Sequence, residues 1–316
     1  MMGELSQREA YGLALADYGE KNPQVMALDV DTSASTLSHF FAKKYPDRFI
    51  NIGIAEPAMI DWAVGLSLSG YIPFANGFAA LLSLRAMEQI RTNLCYARTN
   101  VKLAASYAGL SDYKDGPTHH AILDIDMMRV LPNMTVIVPA DAAETTAWVP
   151  VIAEMDGPVY LRISRAATLA VHEGPVNVAP GKGELLKPGN DAAIITCGAM
   201  AGRSMLAAKE LAESGINVRV INMASIKPLD EGLVLQAAEE TQGIITVEEH
   251  SVIGGLGGAV SELLAEKRPT LVRRVGIKDR FAHTAPEPES LMDAMGLGVG
   301  DIKQAVTNLL ENAKSR

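Results

Sequence analysis

The stretch NIGIAEPAM (51–59) ends an apolar run in a glutamate and follows it at once with a proline. With Phe49 and Ile50 in front, FINIGIA (49–55) carries no charge and reads as a central strand of a sheet covered on both faces. PAMIDWAVGLSLSG (57–70) then reads as a helix, with proline in its first turn and Gly70 at its end. A strand running straight into a helix is the unit of a parallel α/β sheet. Glu56 falls in the turn between them, at the carboxyl end of the strand, where such sheets place their ligands. Pro57 disfavours α geometry at the residue before it, which predicts an extended Glu56 just outside the helix. Two roles stay open for the side chain. One is a first-turn acid complementing the helix dipole. The other is a buried carboxylate aimed at a ligand, with burial raising its pKa enough to share a proton at neutral pH.

The same alternation extends in both directions. Upstream, VMALDV (25–30) is a candidate strand, preceded by an amphipathic helix over 6–18 in which Ser6 and Glu9 have capping-box spacing. Downstream come YIPFANG (71–77), VKLAASYA (101–108), MTVIVPA (134–140) and PVYLRIS (158–164). AALLSLRAMEQIRTNLCYAR (79–98) reads as one longer helix between the first two. Asp141 can cap a helix over 141–155 that Pro150 should kink or shorten. The stretch 171–189 is rich in Pro and Gly and reads as a linker with room for a short strand or hairpin. Beyond it a second alternation begins: AAIITCG, INVRVIN, GIITVEE and TLVRRVGI as strands, with helices between them. The expected fold is α/β, two parallel-sheet domains over 1–170 and 190–316.

Bulk properties restrict the function. Of 316 residues 48% are hydrophobic, enough for two cores, and only 5% are aromatic. The net charge of −9 is spread along the chain, which disfavours nucleic-acid binding driven by phosphate neutralisation. Cys95 and Cys197 lie far apart in apolar surroundings and lack metal-ligand spacing. No secretory leader and no apolar run of about 18 residues is present, so neither export nor a membrane span is expected, and the reading is cytoplasmic.

Other strand ends carry further candidates. SYAGLSDYKDGPTHHAILD (106–124) follows a strand and holds an Asp115-Gly116 turn, Thr118 as a possible helix cap, and the pair His119 and His120. It reads either as a structured surface loop or as a substrate loop with His119 as proton carrier or donor. Arg162 and Arg165 close a strand, and either can grip an anion or form a structural ion pair. VEEHSVIGGLGGAV (247–260) ends a strand and leads through glycines into a helix. Its spacing departs from the dinucleotide fingerprint, so a permissive turn is the better reading.

Taken in order, GIAEPAM (53–59), PFANGF (73–78), RAMEQIR (85–91), DGPTHH (115–120), SR (164–165), IKPLD (226–230) and VEEH (247–250) with GGLGG (254–258) resemble the C-terminal half of transketolases. The likeness is strongest to split transketolases, and deoxyxylulose-phosphate synthases carry a similar series. It covers nearly the whole chain. It implies a pyrimidine-binding domain for thiamine diphosphate over 1–170, a linker over 171–189 and a transketolase C-terminal domain over 190–316. By this resemblance Glu56 hydrogen-bonds the cofactor's aminopyrimidine and is catalytic. Phe78 lies in the segment packed on that ring, and Leu81 or Leu82 supplies an apolar contact where relatives often place an aromatic. Asp115 and His119 contact substrate, with His119 also catalytic, and Arg165 binds a substrate phosphate.

The resemblance also implies what a second chain must supply. The family's metal motif, G-D-G, does not occur in the sequence. A divalent metal, Mg or Ca, is then held mainly by a separate N-terminal, diphosphate-binding subunit, in a heterotetramer of two chains of each kind acting on sugar phosphates. A histidine that single-chain relatives often carry upstream of the DGPTH Asp is replaced by Ser106-Tyr107, which leaves the acceptor sugar and its phosphorylation open. Competing expectations are a β subunit of a 2-oxo acid dehydrogenase, a deoxyxylulose-phosphate-synthase-like enzyme, and a noncatalytic scaffold subunit.

Overall fold

A computed structural model describes residues 5–314. The first sheet contains β1 (Val25–Asp29), β2 (Phe49–Asn51), β3 (Ile72–Phe78), β4 (Lys102–Ser106), β5 (Thr135–Ile137) and β6 (Val159–Arg162). The second contains β7 (Glu184–Lys187), β8 (Ala193–Thr196), β9 (Arg219–Asn222), β11 (Ile244–Ser251) and β12 (Val272–Ile277). Between β9 and β11 the chain sends β10 (Ser225–Lys227) back to the first sheet. The strand orders are β10-β5-β6-β4-β3-β1-β2 and β12-β11-β8-β9-β7. Among the described residues every strand pairing is parallel except β10 with β5 and β7 with β9. The α/β reading therefore holds, with one correction: each sheet carries an antiparallel edge strand. Strands β1, β4, β6 and β8 are buried at every position, as strands covered by helices on both faces must be.

The opening stretch folds differently from its reading. FINIGIA is not a central strand; only Phe49–Asn51 pairs, at the free edge of the first sheet. The Asn51 side chain ends it by accepting the N–H groups of Asp31 and Gly53, both at 3.0 Å, and Gly53 turns the chain with φ +80°. Glu56 is not extended. It is the first residue of the Glu56–Leu68 helix, drawn in because the Ala55 carbonyl accepts the Met59 N–H at 3.0 Å. The expected helix over 79–98 is interrupted once, at Ala86, which departs from helical geometry: Ala79–Arg85 precedes it, and Met87–Gln89 runs on into a π-helix over Ile90–Tyr96. Helix Ala142–Glu154 runs through Pro150 without stopping, and Asp141 caps it by accepting the Glu144 N–H at 3.0 Å. Helix Gln7–Lys21 starts with the Ser6/Glu9 capping box. Thr118 is not a helix cap; the next helix, Asp124–Val130, begins later, after Leu123.

The stretch 171–189 contains β7 and a cross-link: His172 bonds Asp141 through Nδ1 at 2.9 Å and Glu184 through Nε2 at 2.7 Å. The apolar core is continuous between the two halves. Leu103, Val136 and Tyr160 of the first sheet share one cluster with Ile195, Ile221 and Ile226 from the second half. Helices Pro288–Ala294 and Val299–Lys314 close the second half, the latter packing on helix Met200–Glu213. Among the described residues no helix is long and apolar enough to cross a membrane.

Candidate active site

The carboxyl ends of β3, β4 and β6 and the first turn of helix Glu56–Leu68 bring most of the expected residues to one edge of the first sheet. Glu56 is 3% exposed. Its carboxylate accepts from Arg85 Nη1 at 3.1 Å (Oε1) and 3.4 Å (Oε2). The helix is held against β3 by Met59, whose Cε would be 3.9 Å from a Cβ at Gly77. Phe78, the last residue of β3, stacks on Tyr107 with ring centroids 4.1 Å apart and planes 24° from parallel. Tyr107 has φ +61°, a left-handed conformation costly for a bulky residue, and it follows β4 directly. Leu81 is half-buried and keeps surface to offer a ring. Leu82 is a correction: it is fully buried in the core beneath the site and has no face free for a ligand. A run of neighbouring apolar residues in a helix does not reveal which of two points inward until the packing partners are known.

A second aromatic and cationic layer surrounds Tyr107. The Arg165 guanidinium sits 5.2 Å from the Tyr107 ring centre and 5.8 Å from that of Tyr113. Arg8, absent from the expected site residues, lies 5.6 Å from the same Tyr107 ring and donates to the Tyr107 hydroxyl at 3.2 Å and to the Ser35 carbonyl at 2.9 Å. Its Nε is buried without a hydrogen-bond partner. Two guanidinium groups around one tyrosine make a place for an anionic or polyhydroxy ligand end. No local pattern signals Arg8, because it sits on an ordinary amphipathic helix far away in sequence.

The loop between β4 and the Asp124–Val130 helix carries the histidines and acids. His119 is half-buried, with Thr118 Oγ1 3.0 Å from its Nδ1 and its ring centre 6.2 Å from that of Phe78 in an edge-on contact. His120 points inward, its Nε2 3.2 Å from the Asp112 carbonyl, so the two neighbours face different ways. Asp115 is exposed. Asp112, not singled out by sequence, is fully buried, and its Oδ1 accepts from Arg165 Nη1 at 3.2 Å. Burial, with Asp115 nearby, pushes the Asp112 carboxyl up to about 6.

The remaining candidates are structural. Arg162 is buried and donates to Asp124 through Nε (2.8 Å) and Nη2 (3.2 Å), while Tyr160 donates to the same carboxylate at 2.7 Å. The glycine-rich turn before helix Leu256–Lys267 is an anion cradle whose occupant belongs to the chain. Glu248 accepts the N–H groups of Leu256 and Gly257 at 2.7 and 2.8 Å, and a Cβ at Gly255 would collide with its Oε2. That seat leaves no room for a dinucleotide phosphate.

The donor set fits the aminopyrimidine end of thiamine diphosphate: a buried carboxylate at a helix start, an aromatic ring at the adjacent strand end and a half-exposed leucine. Among the described residues no group of three or more His, Cys, Asp or Glu side chains is placed to hold a metal.

Comparison with known proteins shows the family. Residues 3–169 match the family "Transketolase, pyrimidine binding domain" and residues 181–302 match "Transketolase, C-terminal domain". The chain is 37% identical to the 6-deoxy-6-sulfo-D-fructose transketolase subunit SqwH of Clostridium sp. (strain MSTE9), over 98% of this chain and 96% of that one. It is 40% identical to the putative transketolase C-terminal section of Methanocaldococcus jannaschii, over 90% of this chain and 90% of that one. A solved structure described as "Split gene transketolase, inactive beta4 tetramer" superposes with a TM-score of 0.91 at 46% identity, covering 97% of this chain and 99% of that one. The chain belongs to the transketolase family, carrying its pyrimidine-binding and C-terminal domains and matching chains of that family that consist of this half alone along nearly their whole length.

Proposed function

We propose that the chain is the C-terminal subunit of a two-chain, thiamine-diphosphate-dependent transketolase, moving a two-carbon ketol unit from a ketose to an aldose. The carrying observation is the buried Glu56 carboxylate at the start of helix Glu56–Leu68, on a chain of this family. The cofactor supplies the electron sink on which the ketol unit is carried. Glu56 would hydrogen-bond a ring nitrogen of the aminopyrimidine, handing it a proton and taking it back, and so hold its tautomer. Phe78 and Leu81 flank the ring and keep water from it. His119, at the edge of Phe78, gives and takes the substrate hydroxyl proton, and Asp115 orients the sugar from the loop tip. Arg165 and Arg8 receive the anionic end of a sugar phosphate around Tyr107.

A separate N-terminal subunit completes the site with the diphosphate and its Mg or Ca ion, in an assembly of two chains of each kind in the cytoplasm. The separate subunit is supported by the similarity, along nearly their whole length, to a transketolase subunit and to a split-gene transketolase structure described as an inactive tetramer of β chains. The assay is ketol transfer, with thiamine diphosphate and magnesium, by the purified chain alone and with its partner subunit. Turnover is expected only with the partner. Full turnover by the lone chain, or unimpaired partnered activity after Glu56→Ala, would sink the reading.

A further inference from the structure

VEEH (247–250) is the motif that the proposed chemistry leaves unused. Glu248 closes the start of its own following helix, but Glu249 crosses to the other half of the chain. Its Oε1 accepts the Leu110 N–H at 2.7 Å, buried. The contact depends on Gly109, where a Cβ would collide with the Glu249 carboxylate and where φ is +61°. The main chain around Glu249 is tied to the same region. Its carbonyl accepts from Arg162 Nη2 at 3.1 Å, and the Ser251 N–H donates to the Ile122 carbonyl at 2.9 Å.

Leu110 and Ile122 are the two feet of the loop that carries Asp112, Asp115 and His119. Gly109 and Ala121 exchange both backbone hydrogen bonds, at 3.1 and 3.0 Å, and so close the loop at its base. The side chains of Leu110 and Ile122 are buried in the apolar core of the second half, in one cluster with Val247 and Ile277. Farther out, the Tyr113 carbonyl accepts the Ala285 N–H at 3.0 Å. The loop thus springs from β4 of the first sheet but is seated on the end of β11 in the second half.

We infer that Glu249 is a positioning residue, holding the substrate loop in place from the C-terminal half through the Leu110 N–H. The inference rests on the proposed function only for what the loop does, not for how it is held. The charged and titratable groups around Glu249 are Arg162 from β6, Asp124 from helix Asp124–Val130, Arg203 from helix Met200–Glu213, Cys197 after β8, and Glu248 and His250 on its own strand. Burial outweighs Arg162 and the Leu110 N–H and pushes the Glu249 carboxyl up to about 7. Lifting the loop returns the carboxyl to water and to the ordinary range of a glutamate. The seated loop therefore binds the proton more tightly than the lifted one. Seating is favoured below pH 7 and weakens as pH rises from the ordinary carboxyl range through 7.

The test is amide hydrogen exchange on the full chain, wild type, Glu249→Gln and Glu249→Ala, between pH 5.5 and 8.5, corrected for intrinsic exchange rates. In the wild type, peptides over 110–121 are expected to open about tenfold more readily at pH 8 than at pH 6, with β1, β4 and β8 unchanged. Glu249→Gln keeps an acceptor without the charge, so its loop stays protected and loses most of that pH dependence, the remainder being that of Asp112 within the loop. Glu249→Ala exposes the loop at every pH. A Glu249→Ala loop as protected as wild type, a Glu249→Gln loop as exposed as Glu249→Ala, or an undiminished pH dependence in Glu249→Gln would each overturn the inference. These readouts need no catalysis. A partnered assembly that binds no thiamine diphosphate would defeat the proposed function and leave this inference standing.

Discussion

Glu56 and Arg85 face each other across the boundary between interior and water: the carboxylate is 3% exposed, and the guanidinium that grips it at 3.1 Å has a side chain 51% exposed. Arg85 therefore covers the carboxylate in the free chain, and on the proposed function it must give up part of that contact for a ring nitrogen to reach it. Glu56→Gln is expected to leave the fold intact and cut partnered ketol transfer by roughly 10²–10⁴-fold, the range of a lost proton-handling group. Arg85→Ala should cost roughly 1 kcal/mol in urea unfolding, well below a fully buried pair because Arg85 stands half in water. Unchanged turnover in Glu56→Gln would remove Glu56 from the chemistry.

Asp112 offsets the charge of Arg165 at 3.2 Å, and its carboxyl is pushed up to about 6. Its folded-state value lies above the unfolded one. Its ionisation thus weakens the fold as pH rises from the ordinary carboxyl range through 6. Above 6 the carboxylate neutralises Arg165; below it, Arg165 is free for an anion. Sulfate, whose charge is constant over this range, should inhibit the partnered enzyme more strongly at pH 5.5 than at 7.5. Asp112→Asn should bind it equally well at both, and at pH 7.5 about 3- to 10-fold more tightly than wild type. Identical sulfate titrations for the two proteins would contradict this.

Arg162 and Asp124 form the buried ion pair beneath the loop, with Tyr160 completing the carboxylate's shell. Arg162→Met leaves Asp124 buried and unpaired, at a cost of about 3–5 kcal/mol in chemical denaturation. Adding Asp124→Leu should recover part of that loss, since the uncompensated charge goes with it. A double variant no more stable than Arg162→Met would show that packing, not the stranded charge, sets the cost.

His172 ties the inter-sheet stretch to Asp141 and Glu184, and these two acids hold its imidazolium up to about 9 despite burial. A histidine raised in the folded state adds stability that is complete below its unfolded value near 6.5 and is lost as pH rises through 9. Thermal melts should therefore show a decline between about pH 7 and 9.5 that His172→Gln lacks, worth roughly 1–3 kcal/mol at neutral pH. Parallel pH profiles for the two proteins would exclude the cross-link as its source.

Much of this architecture was legible because it rests on local rules. The Ser6/Glu9 box, the Asp141 cap and the Gly70 stop satisfy helix ends from within a few residues. Runs such as VMALD and AIIT are apolar because helices cover both faces. The misreadings came where distant partners decide. FINIGIA looks central by composition, yet it finds a pairing partner only in β1 and stands at an edge, ended after Asn51. Antiparallel β10 overlaps the start of IKPLD, and its pairing with β5 joins residues far apart in the chain. Arg8 and Asp112 join the site only through folding, and Leu82 leaves it for the same reason. Ile302, Val306, Leu309 and Leu310 recur at helical spacing, but the sequence reading places no helix there; the structure forms one and buries all four.

The return of β10 to the first sheet gives the two halves a shared fate. Without it, β5 would stand as a naked edge, its backbone donors and acceptors open to any extended segment, with Val136 and Ile137 beside it. A fragment stopping near residue 170 would then tend to recruit a strand from another molecule, by swapping or by aggregation. The C-terminal domain thus blunts a sticky border that the pyrimidine domain cannot finish by itself.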